Sequence, residues 1–203
     1  LIVKLAKRYQ LPIIEDAACA LGATWNHKQA GTFGSMGCFS FHPRKNITTG
    51  EGGMIITNNK AYYETLKALR NHGQSSSGKK FDFQLVGFNY RMTDFQAALG
   101  SSQIDRLDDI ISERQDIAFN YNKIFENVKI DIPFIRKEAS SVFQSYVVQL
   151  PDSLNDQREK IINHLKNKDE IETNIGTINI PYTSYYKRKY GFSSNDFSVV
   201  NKV

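Results

Sequence analysis

Lys45 and Asp16 are the residues whose type and surroundings point to chemistry. Lys45 lies in Gly37-Cys-Phe-Ser-Phe-His-Pro-Arg-Lys-Asn-Ile-Thr-Thr-Gly-Glu-Gly-Gly53. The apolar run Cys38-Phe39-Ser40-Phe41 reads as a buried strand that stops at Pro43, whose nitrogen cannot donate to a ladder. The loop after it holds Lys45 among small and hydroxyl residues until Gly50, Gly52 and Gly53 turn the backbone into a second apolar run, Met54 to Thr57. An amine is thereby held at the mouth of a sheet. Partly desolvated, such an amine is a nucleophile able to form a Schiff base with an aldehyde; solvated beside Arg44, it is an ordinary loop cation. Asp16 also carries two readings. It closes Leu11-Pro12-Ile13-Ile14-Glu15-Asp16, a predicted buried strand, and ligands of open α/β sheets bind at strand carboxyl ends. The same side chain suits the N-cap of a helix through Ala17 to Leu21.

The elements around these two residues follow from spacing. Residues 1 to 10 read as an amphipathic helix. Gly22 to Gly34, with Asn26-His27-Lys28-Gln29 between Trp25 and Phe33, predicts a hairpin-like excursion before a strand at 36–41, which brings Asp16 and Lys45 to one edge. Asn59 to Asn71 carries Tyr62, Leu66 and Leu69 at helical spacing and is stopped by Gly73. Gln74 to Lys80, polar and rich in serine and glycine, reads as a mobile loop, and Phe81 to Tyr90 as irregular and aromatic. Thr93 with Gln96 forms a capping box for a long helix to about Glu126, with room for breaks. Its apolar positions, among them Phe95, Leu99, Ile117, Tyr121 and Phe125, suit a core or a subunit interface. Pro133 marks a change of character: a strand at Val142 to Leu150, a helix at Asp156 to Lys166 and a β-rich stretch to Ile180 are expected, with a domain boundary near residue 135. Tyr182 to Val203 shows no clear periodicity.

Composition narrows the classes. The chain has 203 residues, 40% hydrophobic and 12% aromatic, enough for a packed core in one large or two small domains. No apolar run approaches the roughly 18 residues of a membrane span. The chain lacks an initiator Met, so its start reads as a cut through a longer sequence. Two cysteines, Cys19 and Cys38, without disulfide or metal-ligand spacing suit a reducing cytoplasm. The net charge of +5 mildly favours acidic ligands. Its densest cluster, Lys187-Arg188-Lys189, has no stacking pattern or DNA-binding motif and reads as a solvated face.

Ile14-Glu15-Asp16-Ala17-Ala18, Ser40-Phe41-His42-Pro43-Arg44-Lys45, Thr49-Gly50-Glu51-Gly52-Gly53 and Gly87-Phe88-Asn89-Tyr90-Arg91-Met92, in this order, make the sequence resemble the DegT/DnrJ/EryC1/StrS family of pyridoxal-phosphate-dependent sugar aminotransferases. The match is dense over residues 13 to 110 and looser to about 190. It implies an α/β fold of fold-type I, here a partial large domain over 1–135 and an incomplete small α+β domain over 136–203. Lys45 matches the lysine that holds the cofactor through its aldehyde and then moves a proton for the substrate. Asp16 matches the acid that pairs with the pyridine nitrogen. Ser40 matches a phosphate contact, against an ordinary strand-end hydroxyl bonded to backbone. Asn89 matches a residue that reaches the phosphate of the neighbouring subunit, implying a homodimer with shared sites, against a turn asparagine. Arg91 either approaches that phosphate or pairs with Asp94. His42 packs between Phe41 and Pro43 or meets substrate, and Glu51 between glycines is foremost a turn residue.

Cys19 departs from the pattern, standing where the family usually has Gln or His near the cofactor's ring hydroxyl. The family's N-terminal portion, with its phosphate-binding helix start and ring-stacking aromatic, is not in this sequence. The implied activity is transfer of an amino group, from glutamate, to a keto group of a nucleotide-linked deoxysugar in polysaccharide biosynthesis, with no nucleic-acid or membrane partner. One alternative is a related sugar dehydratase, which would carry histidine in place of Lys45. The other is a catalytically silent regulatory or scaffold protein of the same fold.

Overall fold

Three strands and the loop between two of them carry the residues of interest, and the computed structural model describes residues 1–75, 82–193 and 196–197. The first helix, α1 (Ile2–Arg8), leads into strand β1 (Ile14–Asp16). A hairpin of β2 (Thr24–Trp25) and β3 (Lys28–Gln29) follows, turned by Asn26 and His27 at positive φ. The expected excursion is therefore present. Strand β4 (Met36–Ser40) returns parallel to β1, pairing Asp16 with Cys38, and β5 (Gly53–Ile56) runs antiparallel to β4, pairing Gly53 with Ser40. The sheet order is β1-β4-β5.

Helix α2 (Lys60–Arg70) starts where the Asn59 side chain accepts from the amides of Ala61 and Tyr62. Short strands β6 (Gln74–Ser75) and β7 (Asp82–Phe83) pair antiparallel. The stretch expected to be a mobile loop lies, beyond Ser75, outside the described residues. The segment after β7 is strapped along the end of α2 by Phe88 N to Leu69 O and Tyr90 N to Arg70 O. The capping box of Thr93 and Gln96 opens α3 (Asp94–Ile104), and after a break at Asp105 and Arg106 the helix resumes as α4 (Leu107–Phe125). Phe95 is 91% exposed, and Leu99 and Ile117 are also exposed, so these positions are not core within this chain. A two-residue strand, β8 (Ala139–Ser140), pairs with β2.

Four sequence expectations are corrected. The run before Asp16 is not a buried strand: Ile14 is 63% exposed, and β1 is an edge of the sheet. Ala17 to Leu21 is not a helix but a turn. Val142 to Leu150 forms no strand beyond a bridge at Gln149: Phe143 stands at φ of +42°, and the carbonyls of Phe143 and Gln144 accept from the Arg114 side chain. The stretch to Ile180 is irregular rather than β-rich, and Ser184–Tyr190 is a helix that the sequence pattern did not announce.

The chain divides into two compact units, Leu1–Phe119 with Ile135–Ser145, and Asn120–Phe134 with Tyr146–Val203. In the first, the buried apolar residues are Ala17, Phe41, Ile47, Ala118 and Val142, joined by buried Thr49. In the second, Tyr146 packs its ring against Tyr121 and Phe125 and donates to Asn122 Oδ1 at 2.6 Å. That unit also holds α5 (Arg158–Lys168) and α6 (Ser184–Tyr190).

Candidate active site

Phe41, Ile47 and Thr49 are among the most buried residues described, and all three belong to the loop that carries Lys45. The loop folds on itself because its hydroxyls replace missing ladder bonds. Thr48 Oγ1 donates to Phe41 O, Thr49 N donates to the same carbonyl, Gly50 N donates to Thr48 Oγ1, and Thr49 Oγ1 donates to Glu51 O. Ile47, 1% exposed, anchors the middle. Helix α3 then grips the loop through Gln103 on Thr48 and Gln96 Nε2 on Glu51 O, and Gln144 Nε2 donates to Arg44 O. A flexible lysine is thus mounted on a rigid support.

Lys45 itself is half-buried, and its Nζ donates to Cys19 Sγ at 2.8 Å. Cys19 follows Asp16 by three residues in the turn that leaves β1. That turn is set by Asp16, whose Oδ1 accepts from Ala18 N at 3.1 Å, and by Ala20 N to Ala17 O. The carboxylate keeps its second oxygen for another donor. Ser40 ends β4 at the same edge, and its Oγ accepts from His42 N at 3.3 Å, which leaves the hydroxyl proton to donate elsewhere. Asp16, Cys19, Ser40 and Lys45 therefore gather at the carboxyl edge of the parallel pair β1 and β4, as the spacing implied for Asp16 and Lys45.

Asn89 is not among them. It is exposed and forms an antiparallel bridge with Asn71, and nothing links it to the Lys45 loop among the described residues. Arg91 donates to Asn71 Oδ1 and does not pair with Asp94. His42 turns Nδ1 back to accept from Arg44 N, with Nε2 3.9 Å from Glu51 Oε1. Glu51 serves the turn through its carbonyl. No sequence signal marked Gln103 or Gln144, and Glu15 stood only within its sequence block; its carboxylate accepts from the amides of Gly31 and Gly34 and fixes the loop before β4. Gln96 was visible only as a capping residue. Among the described residues there is no cluster of His, Cys, Asp or Glu able to hold a metal ion, and no helix long and apolar enough to cross a membrane.

The donor set suits an aldehyde cofactor with a basic ring and a phosphate: an amine, a carboxylate and a free hydroxyl proton share one sheet edge. The chain that carries this edge is of mixed α/β architecture. The solved structures agree. Helicobacter pylori PseC, an aminotransferase involved in the biosynthesis of pseudoaminic acid, matches with a TM-score of 0.87 at 26% identity, over 95% of this chain and 52% of that one. The putative sugar aminotransferase Spr1654 of Streptococcus pneumoniae, in its PLP form, gives 0.83 at 28% identity, over 93% and 50%. By sequence, GDP-perosamine synthase of Escherichia coli O157:H7 is 37% identical over 190 residues, 93% of this chain and 50% of that protein. The profile of the DegT/DnrJ/EryC1/StrS aminotransferase family matches residues 1–203, and the chain belongs to that family. It spans about half the length of the curated relatives it matches.

Proposed function

We propose that this chain is part of a pyridoxal-phosphate-dependent aminotransferase that moves an amino group from an amino acid, glutamate in the first instance, to a keto group of a nucleotide-linked deoxysugar. The reading rests on one observation: the amine of Lys45 lies 2.8 Å from Cys19 Sγ, in the turn that Asp16 fixes at the end of β1. Pyridoxal phosphate, when bound, supplies an electron sink that lets the amino-acid carbon release its proton. Lys45 would hold the cofactor through its amine and, once freed, would carry that proton on Nζ. Asp16 would keep a proton on the pyridine nitrogen by charge pairing, using the oxygen that Ala18 leaves free. Ser40 would donate its hydroxyl proton to the phosphate. Asn89 completes the phosphate site of a partner subunit, so the working form is a homodimer. Two free cysteines suit the reducing cytoplasm, where we place the protein.

The presence of Lys45 favours transamination over the dehydratase alternative, and the names GDP-perosamine synthase and PseC aminotransferase favour an enzyme over a silent scaffold. The test is to express the full-length gene, add pyridoxal phosphate, reduce with borohydride and map the adduct by mass spectrometry. A tag on Lys45 that vanishes in Lys45→Ala is the expected result. A tag on another lysine, or none, overturns the assignment.

A further inference from the structure

We propose that Cys19 and Lys45 form a modification site, in which hydrogen peroxide joins Sγ to Nζ in a covalent sulfur–nitrogen cross-link that a thiol reopens. Cys19 Sγ and Lys45 Nζ are 2.8 Å apart, and Cys19 is exposed to a small oxidant. The two side chains are held from independent sides. Cys19 sits in the turn fixed by Asp16 and Ala18, while the Lys45 loop is fixed by buried Ile47 and the bonds from Gln103 and Gln144. Closing the bond requires only torsion of the four-carbon lysine stem. The second cysteine, Cys38, lies half-buried within β4.

The chemistry balances without a further co-reactant. The Cys19 sulfur attacks the peroxide, a sulfur–oxygen bond forms, the oxygen–oxygen bond breaks and one water leaves, so sulfur is oxidised by two electrons and peroxide is reduced. The unprotonated Lys45 amine then attacks the electrophilic sulfur. A sulfur–nitrogen bond forms, the sulfur–oxygen bond breaks, and hydroxide leaves with the amine proton as a second water. The protein has lost two hydrogens. Reversal needs an external thiol, which attacks sulfur and expels the amine as its proton acceptor; a second thiol equivalent then frees Cys19 from the mixed disulfide. A neighbouring amine at this distance intercepts the sulfenic acid before further peroxide carries it to the irreversible sulfinic stage.

The functional consequence rests on the reading of Lys45 given above: a cross-linked amine is not free to take up pyridoxal phosphate, so oxidation silences the site and a reducing thiol restores it. The cross-link itself does not depend on that reading. The full-length protein, freed of cofactor, is exposed to hydrogen peroxide, digested without reductant and mapped by mass spectrometry, and a second portion is labelled with pyridoxal phosphate and borohydride before and after oxidation. The expected product joins the Cys19 and Lys45 peptides at about 2 Da below their sum, as loss of two hydrogens requires. It persists in Cys38→Ser, is absent in Cys19→Ser and Lys45→Arg, and disappears with dithiothreitol. Fragment spectra of the unmutated protein locate the bond even if a variant folds poorly. Labelling of Lys45 is expected to fall at least fivefold on oxidation and to return after thiol treatment. Sulfinic acid at Cys19 with no cross-link, a Cys19–Cys38 disulfide in its place, or a cross-link that survives Lys45→Arg overturns the proposal. If reduced protein takes no label at Lys45 while the cross-link forms, the functional reading fails and the modification site stands.

Discussion

Gln103 grips the backbone of Thr48 from both directions: its Oε1 accepts from Thr48 N at 3.0 Å, and its Nε2 donates to Thr48 O at 2.7 Å. The two residues lie 55 positions apart, and the pairing imitates a β-ladder where the chain has none. Gln103→Leu removes both bonds and leaves two half-buried backbone groups without partners. The expected loss is about 1–2 kcal/mol, seen as a lower urea midpoint at unchanged slope. Because Thr48 follows Lys45 closely, the variant is also expected to lose pyridoxal phosphate faster on dialysis. Full stability with normal retention would show that the α3 contact does not hold the loop.

Two glycines separate crowding from backbone strain. A Cβ on Gly37 would stand 2.1 Å from Gly31 O, a backbone atom that cannot swing aside, whereas one on Gly50 meets nothing within 4 Å but must accept φ of +78°. Gly37→Ala is expected to cost about 3 kcal/mol or more, and Gly50→Ala about 1 kcal/mol. Thermal melts of the two variants side by side check the order; equal shifts would contradict the packing of β4 against the loop that joins β3 to it.

What was legible in the sequence was local. Asn59 and the Thr93–Gln96 box bond amides two or three residues away, so residue type alone locates the helix starts. The edge shared by Asp16 and Lys45 was legible too, because a strand, an excursion and a returning strand leave one topology for a parallel pair. Distant partners were not. Val142 alternates like a strand residue, yet its neighbours' carbonyls go to Arg114 and Gln115, and the Lys45 loop is braced by Gln144, 100 positions from Arg44. Nothing in a lone glutamine announces such a partner. Helix α6 escaped because its rings are spent on one another, Tyr186 on Tyr190 and Tyr185 on Tyr186, rather than on an apolar stripe; Gly191 at φ of +71° was its one terminal signal.

Asp16 has a structural and a proposed chemical duty, and one substitution divides them. Asp16→Asn retains an oxygen to accept from Ala18 N, so the turn and the melting temperature are expected to stay within about 0.5 kcal/mol of the parent. The charge is gone, however, and the transamination rate is expected to fall on the order of 100-fold or more, as for other removals of a preorganised electrostatic partner. Asp16→Ala loses both functions. Parent-like turnover in Asp16→Asn, measured by amino transfer from glutamate in the full-length enzyme, would reduce Asp16 to a turn former.

Asn89 stands apart from the Lys45 edge in its own chain, exposed and bridged to Asn71, and a role in the site therefore demands a second copy. The demand yields a sharp arithmetic. If Asn89 of the partner subunit completes each site, Lys45→Ala and Asn89→Ala proteins are both inactive alone. Random reassortment makes half of the dimers mixed, and in each mixed dimer one site carries both lesions and the other neither. About a quarter of parental activity should therefore return after mixing through mild denaturant and refolding. A mixture that stays inactive, while its size by light scattering shows dimers, would return Asn89 to the role of a turn residue.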